Sequence, residues 1–378
     1  MNVFSPVYHL LAWPVEYILP FIVVIAPVVF FHELGHFAIA RLFGVRVETF
    51  SIGFGPAITS WTDRKGTSWK ISWFPLGGYV KFFGDLDAAS TPDRDAAESM
   101  TAEERAVAFP FKPLYQRALI VAAGPIANFV LAIAILATFL LVFGDTSIPA
   151  RIAKVLPGMP AQAAGFRAGD LVVDIDGRSI ASFSDMTTYV GMRPGEPLVV
   201  TVLRGGARVP LHVTPRLMTI KDPFGEIEKV GQLGVELGGR VQVVKYGPLG
   251  AIQEAGHMTW QIVQASLDLR TRLFTSSSAV SQLHGPLGIA KLSAQVAQIN
   301  LLSLIKLAAF ISVSIGLINL FPIPLLDGGH LLYYGFEAVL GRPLGARAQD
   351  VGFRLGLAVM LGLMLLATWN DLVRLKLF

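Results

Sequence analysis

The chain has 378 residues, of which 53% are hydrophobic and only 15% charged, against about 25% charged in an ordinary soluble domain. A net charge of +4 without a long basic run argues against nucleic acid as a partner. The absence of cysteine excludes disulfides, thiolate zinc sites and thiol nucleophiles together.

Taken in chain order, the pattern predicts a polytopic α-helical membrane protein with about four transmembrane helices. The N-terminus carries neither a basic n-region nor an A-x-A site, so it reads as a retained first span and not as a removed signal peptide. That span, about 15–43 within a first segment 1–44, is kinked near Pro27 and contains His32-Glu33-Leu34-Gly35-His36. Residues four apart lie one above the other on a helix, so both imidazoles can reach a single metal ion. Glu33 projects beside them, as a catalytic base would. The bland alternative is a pair of satisfied core histidines. An unpaired Glu in hydrocarbon would cost about 3 kcal/mol, which favours the functional reading. The placement points to a metalloprotease that works within the bilayer.

Residues 45–84 read as short strands and turns, with Trp69 to Phe74 alternating and Gly53, Gly55, Gly66, Gly77 and Gly78 as punctuation. Such a β-rich, membrane-associated loop is either a structural hairpin or a surface that pairs with an extended substrate by strand addition. Residues 85–117 read as a polar linker. The second span is placed at about 118–143, within segment 118–144. Residues 150–217 resemble a PDZ domain: Ala161 to Gly177 give a helix, a glycine turn and a strand ending in an Asp-Gly turn, and Leu198–Val213 gives a hairpin. Such a domain binds peptide ends by β-augmentation. Residues 218–300 show no second copy and read as a linker followed by amphipathic helices at 248–274 and 285–298.

The third span, about 301–325 within segment 301–330, ends in Asn319-Leu-Phe-Pro-Ile-Pro-Leu-Leu-Asp-Gly-Gly-His330. A catalytic zinc needs a third protein ligand and one open position. Pro322 and Pro324 break the helix, and unwound backbone at membrane depth is tolerated only where it is buried or lines a wet cavity. Asp327 is the carboxylate there, and Gly328-Gly329 let the backbone turn around it; an ordinary Asp-Gly turn at the membrane surface is the alternative. His330 could be a fourth ligand, a supporting donor or the start of the next helix, and a supporting role fits an open site best. Asn319 could bond substrate or satisfy the broken helix. His9, His212, His257 and His284 lack partner spacing and read as surface or structural. The fourth span is expected at about 351–370 within segment 331–378.

Lys/Arg bias gives the orientation. Residues 1–40 hold no Lys or Arg, while Arg41 to Arg117 holds ten. The 41–117 segment is therefore expected in the cytoplasm and the PDZ-like region outside, although Arg374 and Lys376 oppose the rule mildly.

These pieces resemble the site-2 protease family of intramembrane zinc metalloproteases, in particular bacterial regulator-of-sigma-E-type proteases, here with a single PDZ domain. The matching motifs are HELGH at 32–36, Ser51 to Gly55, Pro75 to Lys81, Ala123-Gly-Pro-Ile-Ala-Asn128, the PDZ region, Gly285 to Lys291 and Asn319 to His330. The resemblance implies Zn2+ held by His32, His36 and Asp327, with Glu33 as catalytic base. It also implies substrate contact along the 45–84 loop, Gly77 and Gly78 included, and at Asn319 with Pro322 and Pro324. Implied partners are the lipid bilayer of a bacterial inner membrane and single-span membrane proteins already cut outside by another protease. The resemblance implies anti-sigma factors and remnant signal peptides as such substrates. Two rivals remain open from sequence alone: a silent membrane scaffold with a PDZ tether, and a metal transporter.

Overall fold

Among the described residues, four helices are long and apolar enough to cross a bilayer: Val15–Leu42, Leu114–Phe143, Leu301–Asn319 and Arg347–Val373. The computed structural model describes residues 14–85, 100–180, 182–221, 227–238, 242–273 and 285–374. His9, His284 and the whole of the polar stretch 86–99 lie outside them. In chain order the helices are α1 (Leu19–Leu42, entered through a π-turn at Pro14–Ile18), α2 (Ala102–Val107), α3 (Leu114–Phe143), α4 (Pro160–Ala163) and α5 (Phe183–Gly191). They continue as α6 (Pro248–Leu273), α7 (Pro286–Ile299), α8 (Leu301–Asn319), α9 (Asp327–Leu340) and α10 (Ala346–Arg374). The chain divides into one unit of residues 1–138 with 251–378 and a second of residues 139–250.

In the first unit, α1 is buried along Phe21, Val24, Ile25, Val28, Val29, His32, Glu33, His36 and Ala40, the three- and four-residue spacing of a single helix face. The upper half of that face packs on Leu304, Ala308 and Ile311 of α8. The lower half joins Val47, Phe50, Val80 and Ile120 in a second cluster. Gly35 makes the α1–α3 crossing possible, because a Cβ there would overlap the Ala123 carbonyl oxygen.

Strands β1 (Val47–Thr62) and β2 (Ser68–Phe82) form more than a simple hairpin. Phe50 has a partner on each side, Val80 and Trp69, and the same double pairing runs through Thr49, Ser51 and Ile52. The ribbon therefore curls into four lanes in the order 57–62, 68–72, 47–52, 78–82, with the last lane at an edge. Gly53 and Gly55, at φ of 87° and 85°, supply the bends that strand residues with a Cβ resist. Arg41 at the end of α1 donates to Asp63 at 3.0 Å, tying the turn at 63–67 back to the helix.

Three expectations change. The described part of 85–117 is not a polar linker: Thr101 and Glu104 form a reciprocal capping box for α2, and Phe109 is buried, its ring 4.8 Å from that of Phe82. The third span stops at Asn319 instead of 325, since the residues up to Pro324 cannot continue a helix. The described part of 218–244 is not linker. In the second unit, β5 (Leu171–Ile175), β6 (Arg178–Ser179), β7 (Leu198–Arg204) and β8 (Ala207–Val213) make an antiparallel sheet in the order β6-β5-β7-β8. Around it β4 (Ile152–Val155) pairs with Val235–Leu237, β3 (Asp145–Ser147) pairs with Gln242–Val244, and Arg216–Lys221 pairs with Ile227–Gln232. Leu233 joins the core of Ile152, Phe166, Val172, Met186 and Val200. The domain expected at 150–217 thus extends through Val244. The helices expected at 248–274 and 285–298 are present as α6 and α7.

Asp170 locks the second unit. It is 1% exposed, accepts from Arg204 at 2.7 and 2.8 Å, and accepts from the Arg167 N–H at 2.8 Å. Burial alone pushes its carboxyl up, but the Arg204 bonds and the Arg167 N–H outweigh that and hold it below the usual carboxylate range. A group depressed in the folded state contributes fully above the unfolded value of about 3.9 and loses its contribution as pH falls below it. Asp170→Asn should therefore make residues 139–250 easier to unfold at pH 7 and reduce their acid sensitivity below about pH 4. Pulse proteolysis of the detergent-solubilised chain across pH reads both, and unchanged resistance at pH 7 would refute the role.

Candidate metal centre

Helix α1 puts His32 and His36 on its buried face, each 8% exposed. Their Nε2 atoms are 3.3 Å apart. Asp327, the first residue of α9, brings its Oδ2 to 3.2 Å from His32 Nε2 and 3.5 Å from His36 Nε2. These three atoms are the metal-binding group found among the described residues. A tetrahedral ion with ligands at about 2.0–2.1 Å requires ligand–ligand edges of about 3.3–3.4 Å, and the three separations bracket that value. Asp327 Oδ2 is also buried without a hydrogen-bond donor. Two nitrogen lone pairs and an unpartnered carboxylate oxygen converging in an apolar site fit a divalent cation, and two imidazoles with one carboxylate suit zinc.

The approach to Asp327 is strained in a defined way. Asn319 ends α8, the Leu320–Leu326 segment turns back, and Leu325 is held at φ 89°, a conformation that side-chain-bearing residues rarely adopt. Gly328 and Gly329 are buried where a Cβ would overlap the carbonyls of Phe321 and Ile323, so the loop folds directly onto the start of α9. Gly329 N–H donates to Leu326 O at 2.9 Å, closing the turn that presents Asp327.

Support for the imidazoles comes from α3. His36 Nδ1 donates to the Ile120 carbonyl at 2.9 Å, which leaves Nε2 as the lone-pair nitrogen. Gly124, one turn on, has no room for a Cβ against the His36 ring. Asn128, fully buried another turn along, lies 3.2 Å from His32 Nδ1 through Nδ2. Sequence reasoning named Asn128 only within a matching motif; the four-residue spacing of Ile120, Gly124 and Asn128 was the signal that one face of α3 serves the site.

Glu33 is buried beside the ligands, and a Cβ on Gly78 would come within 2.9 Å of its side chain and 2.8 Å of Val29. Gly78, in the edge lane, is therefore at the site, whereas Gly77 packs against the Phe54 ring. Asn319 is half-buried at the end of α8, and Pro322 is exposed. Pro324 lies against Gly356 of α10, which leaves no room for a Cβ there. His330 falls outside this candidate group. His212 is exposed on β8, and His257 is exposed with Glu254 at 3.7 Å.

Three side chains that could hold a metal ion, two of them on a helix apolar enough to cross a bilayer, point to a membrane metalloprotease. The chain matches Peptidase family M50 over residues 20–363. It is 44% identical over 361 residues to a protein of Rhizobium meliloti named "putative zinc metalloprotease", covering 94% of this chain and 96% of that one. A protein of the same name from Agrobacterium fabrum is 45% identical, covering 94% and 95%. Metalloprotease MmpA of Caulobacter vibrioides is 42% identical, covering 94% and 95%. Among solved structures, the chain is similar to the PDZ domain of the SdrC-like protein from Listeria innocua, 22% identical, covering 24% of this chain and 96% of that one, at a TM-score of 0.20. The chain belongs to Peptidase family M50 and is a zinc metalloprotease.

Asp327→Ala should remove bound zinc while leaving α1 and α3 folded, because the two imidazoles alone cannot complete a tight site. Metal analysis of the purified protein measures this, and stoichiometric zinc in the variant would exclude Asp327 as a ligand.

Proposed function

We propose that the protein is an intramembrane endopeptidase that cuts transmembrane segments of single-span membrane proteins, with Glu33 as its catalytic base. The observation that carries this reading is the position of His32, Glu33 and His36 inside Val15–Leu42, a helix long enough to span a bilayer that contains an 18-residue stretch of mean hydropathy 2.1. Ionisable groups there require a functional reason.

His32, His36 and Asp327 would hold the zinc. When bound, it supplies Lewis acidity that lowers the pKa of water and polarises the scissile carbonyl. Glu33 takes a proton from the attacking water as the new C–O bond forms. It then delivers that proton to the leaving amine as the C–N bond breaks, so the carboxylate is regenerated. A helical substrate keeps its carbonyls bonded internally, and cleavage requires a few residues to unwind. The edge lane 78–82 offers unpaired backbone groups for that extended segment, and Gly78 brings them beside Glu33. Phe54, Trp61, Trp73 and Phe74 are 44–65% exposed on the same sheet, which suits contact with lipid. Asn319 and the turn at Pro322 and Pro324 complete the proposed substrate surface.

The Lys/Arg bias supports a cytoplasmic position for 41–117 and an extracytoplasmic one for 144–300, in a bacterial inner membrane. The antiparallel sheet and capped α5 of the second unit support its reading as a single PDZ domain that receives peptide ends. Substrates shortened outside, such as anti-sigma-factor-like proteins and remnant signal peptides, fit this arrangement.

Glu33→Gln should lower cleavage of a single-span model substrate by about 10²–10⁴-fold while zinc content stays at the wild-type level. Wild-type turnover in that variant would sink the assignment. Gly78→Val would force its side chain onto Ser51 O, Val29 and Glu33, where even a Cβ lies within 2.7–2.9 Å. It should reduce kcat by about 100-fold with zinc retained; an unaltered rate would remove the edge lane from the site.

A further inference from the structure

Asn128 is fully buried on α3, yet the structure satisfies only part of it. Its backbone carbonyl accepts from Ser312 Oγ of α8 at 2.8 Å. Its Nδ2 lies 3.2 Å from His32 Nδ1, and its Oδ1 has no hydrogen-bond partner. A buried acceptor left without a donor is costly, of the order of 1–3 kcal/mol.

The chemistry of His32 decides which end of the amide faces it. His32 Nε2 faces His36 Nε2 and Asp327 Oδ2, so as a ligand it presents its lone pair there. The ring proton must then sit on Nδ1, which becomes a donor and cannot accept from Nδ2. A half-turn of the Asn128 amide exchanges its two ends, and the orphaned Oδ1 then meets the Nδ1–H. His36 has the same service from the Ile120 carbonyl at 2.9 Å. We infer that Asn128 is a positioning residue for the metal centre: its side-chain oxygen accepts from His32 Nδ1–H and fixes the ligand tautomer and ring orientation. The inference rests on the zinc reading of the site.

Because Asn128 also bonds α8 through its backbone, the amide is held while its side chain serves α1. Ile120, Gly124 and Asn128 thus align three consecutive turns of α3 on the two imidazoles, and the Asn is the one polar side chain among them.

The test is chelator competition for zinc on the full chain in detergent, with wild type, Asn128→Leu, Asn128→Asp and His36→Ala. Asn128→Leu keeps the approximate volume without an acceptor, and zinc should be held about 10- to 100-fold more weakly. Asn128→Asp keeps an acceptor and removes the donor, and it should hold zinc close to wild type. An Asp variant as weak as the Leu variant would overturn the role, since a donating Asn128 predicts that result. Should Asn128→Leu fail to fold, the Asp variant decides alone: wild-type affinity supports acceptance from His32, and a tenfold loss overturns it. The metal reading has its own control. A wild type no tighter than His36→Ala overturns the centre and this role together, whereas a tight wild type matched by Asn128→Leu overturns only the role of Asn128.

Discussion

Everything at the site depends on one constraint: polar ligands carried inside apolar helices must be satisfied by each other or by neighbouring backbone. His32, Glu33 and His36 share the buried face of α1 with Val24, Val28 and Val29, and none has bulk water as an easy partner. Asp327 answers the two Nε2 atoms, the Ile120 carbonyl answers His36 Nδ1, and Asn128 lies at His32 Nδ1. Each partner needs helices closer than ordinary side chains permit. Glycines at 35 and 124 provide that closeness between α1 and α3.

The same constraint shapes the third ligand. Asp327 can lead α9 only because the chain leaves α8 at Asn319 and turns through Leu325 in a left-handed conformation. Strain of this kind persists where surrounding structure over-determines it. Here Pro324 is seated on Gly356 of α10, and Gly328 and Gly329 accept the backbone folded over them. Further along α9, Glu337 accepts from Arg117 at 2.6 and 3.2 Å, while the Arg117 guanidinium lies 5.0 Å from the centre of the Tyr334 ring. A planar bidentate pair of this type fixes direction as well as distance. Helix α3 therefore holds the far part of α9 through its first turns and supports the imidazoles through its middle turns.

The four-lane sheet adds a second kind of order. A sheet edge carries unpaired N–H and carbonyl groups, and this one runs beside a buried glutamate because Gly78 has no side chain to keep it away. In the proposed mechanism, that edge is what an extended peptide would pair with beside Glu33. The second unit is organised separately around its own core and the Asp170–Arg204 pair.

The sequence by itself determined the four spans, the two histidines and the carboxylate, because hydropathy and four-residue spacing are local properties of a helix. It also marked Asp327, since proline and glycine punctuation says where a helix breaks. Only the tertiary structure decided the rest. The three-residue strand Val235–Leu237 has no periodicity to detect, and its partner at Ile152–Val155 is about 80 residues away, so the second unit was drawn too short. Phe109 in a polar neighbourhood gave no sign that it would stack on Phe82. Sequence placed Gly77 and Gly78 together, whereas packing put one against Phe54 and the other against Glu33. Asn128 illustrates the division most clearly: spacing put it on the same face of α3 as Gly124, but its meeting with His32 depends on how α1 and α3 cross. The candidate ligands are written in local pattern; the partners that surround them are set by packing between segments distant in sequence.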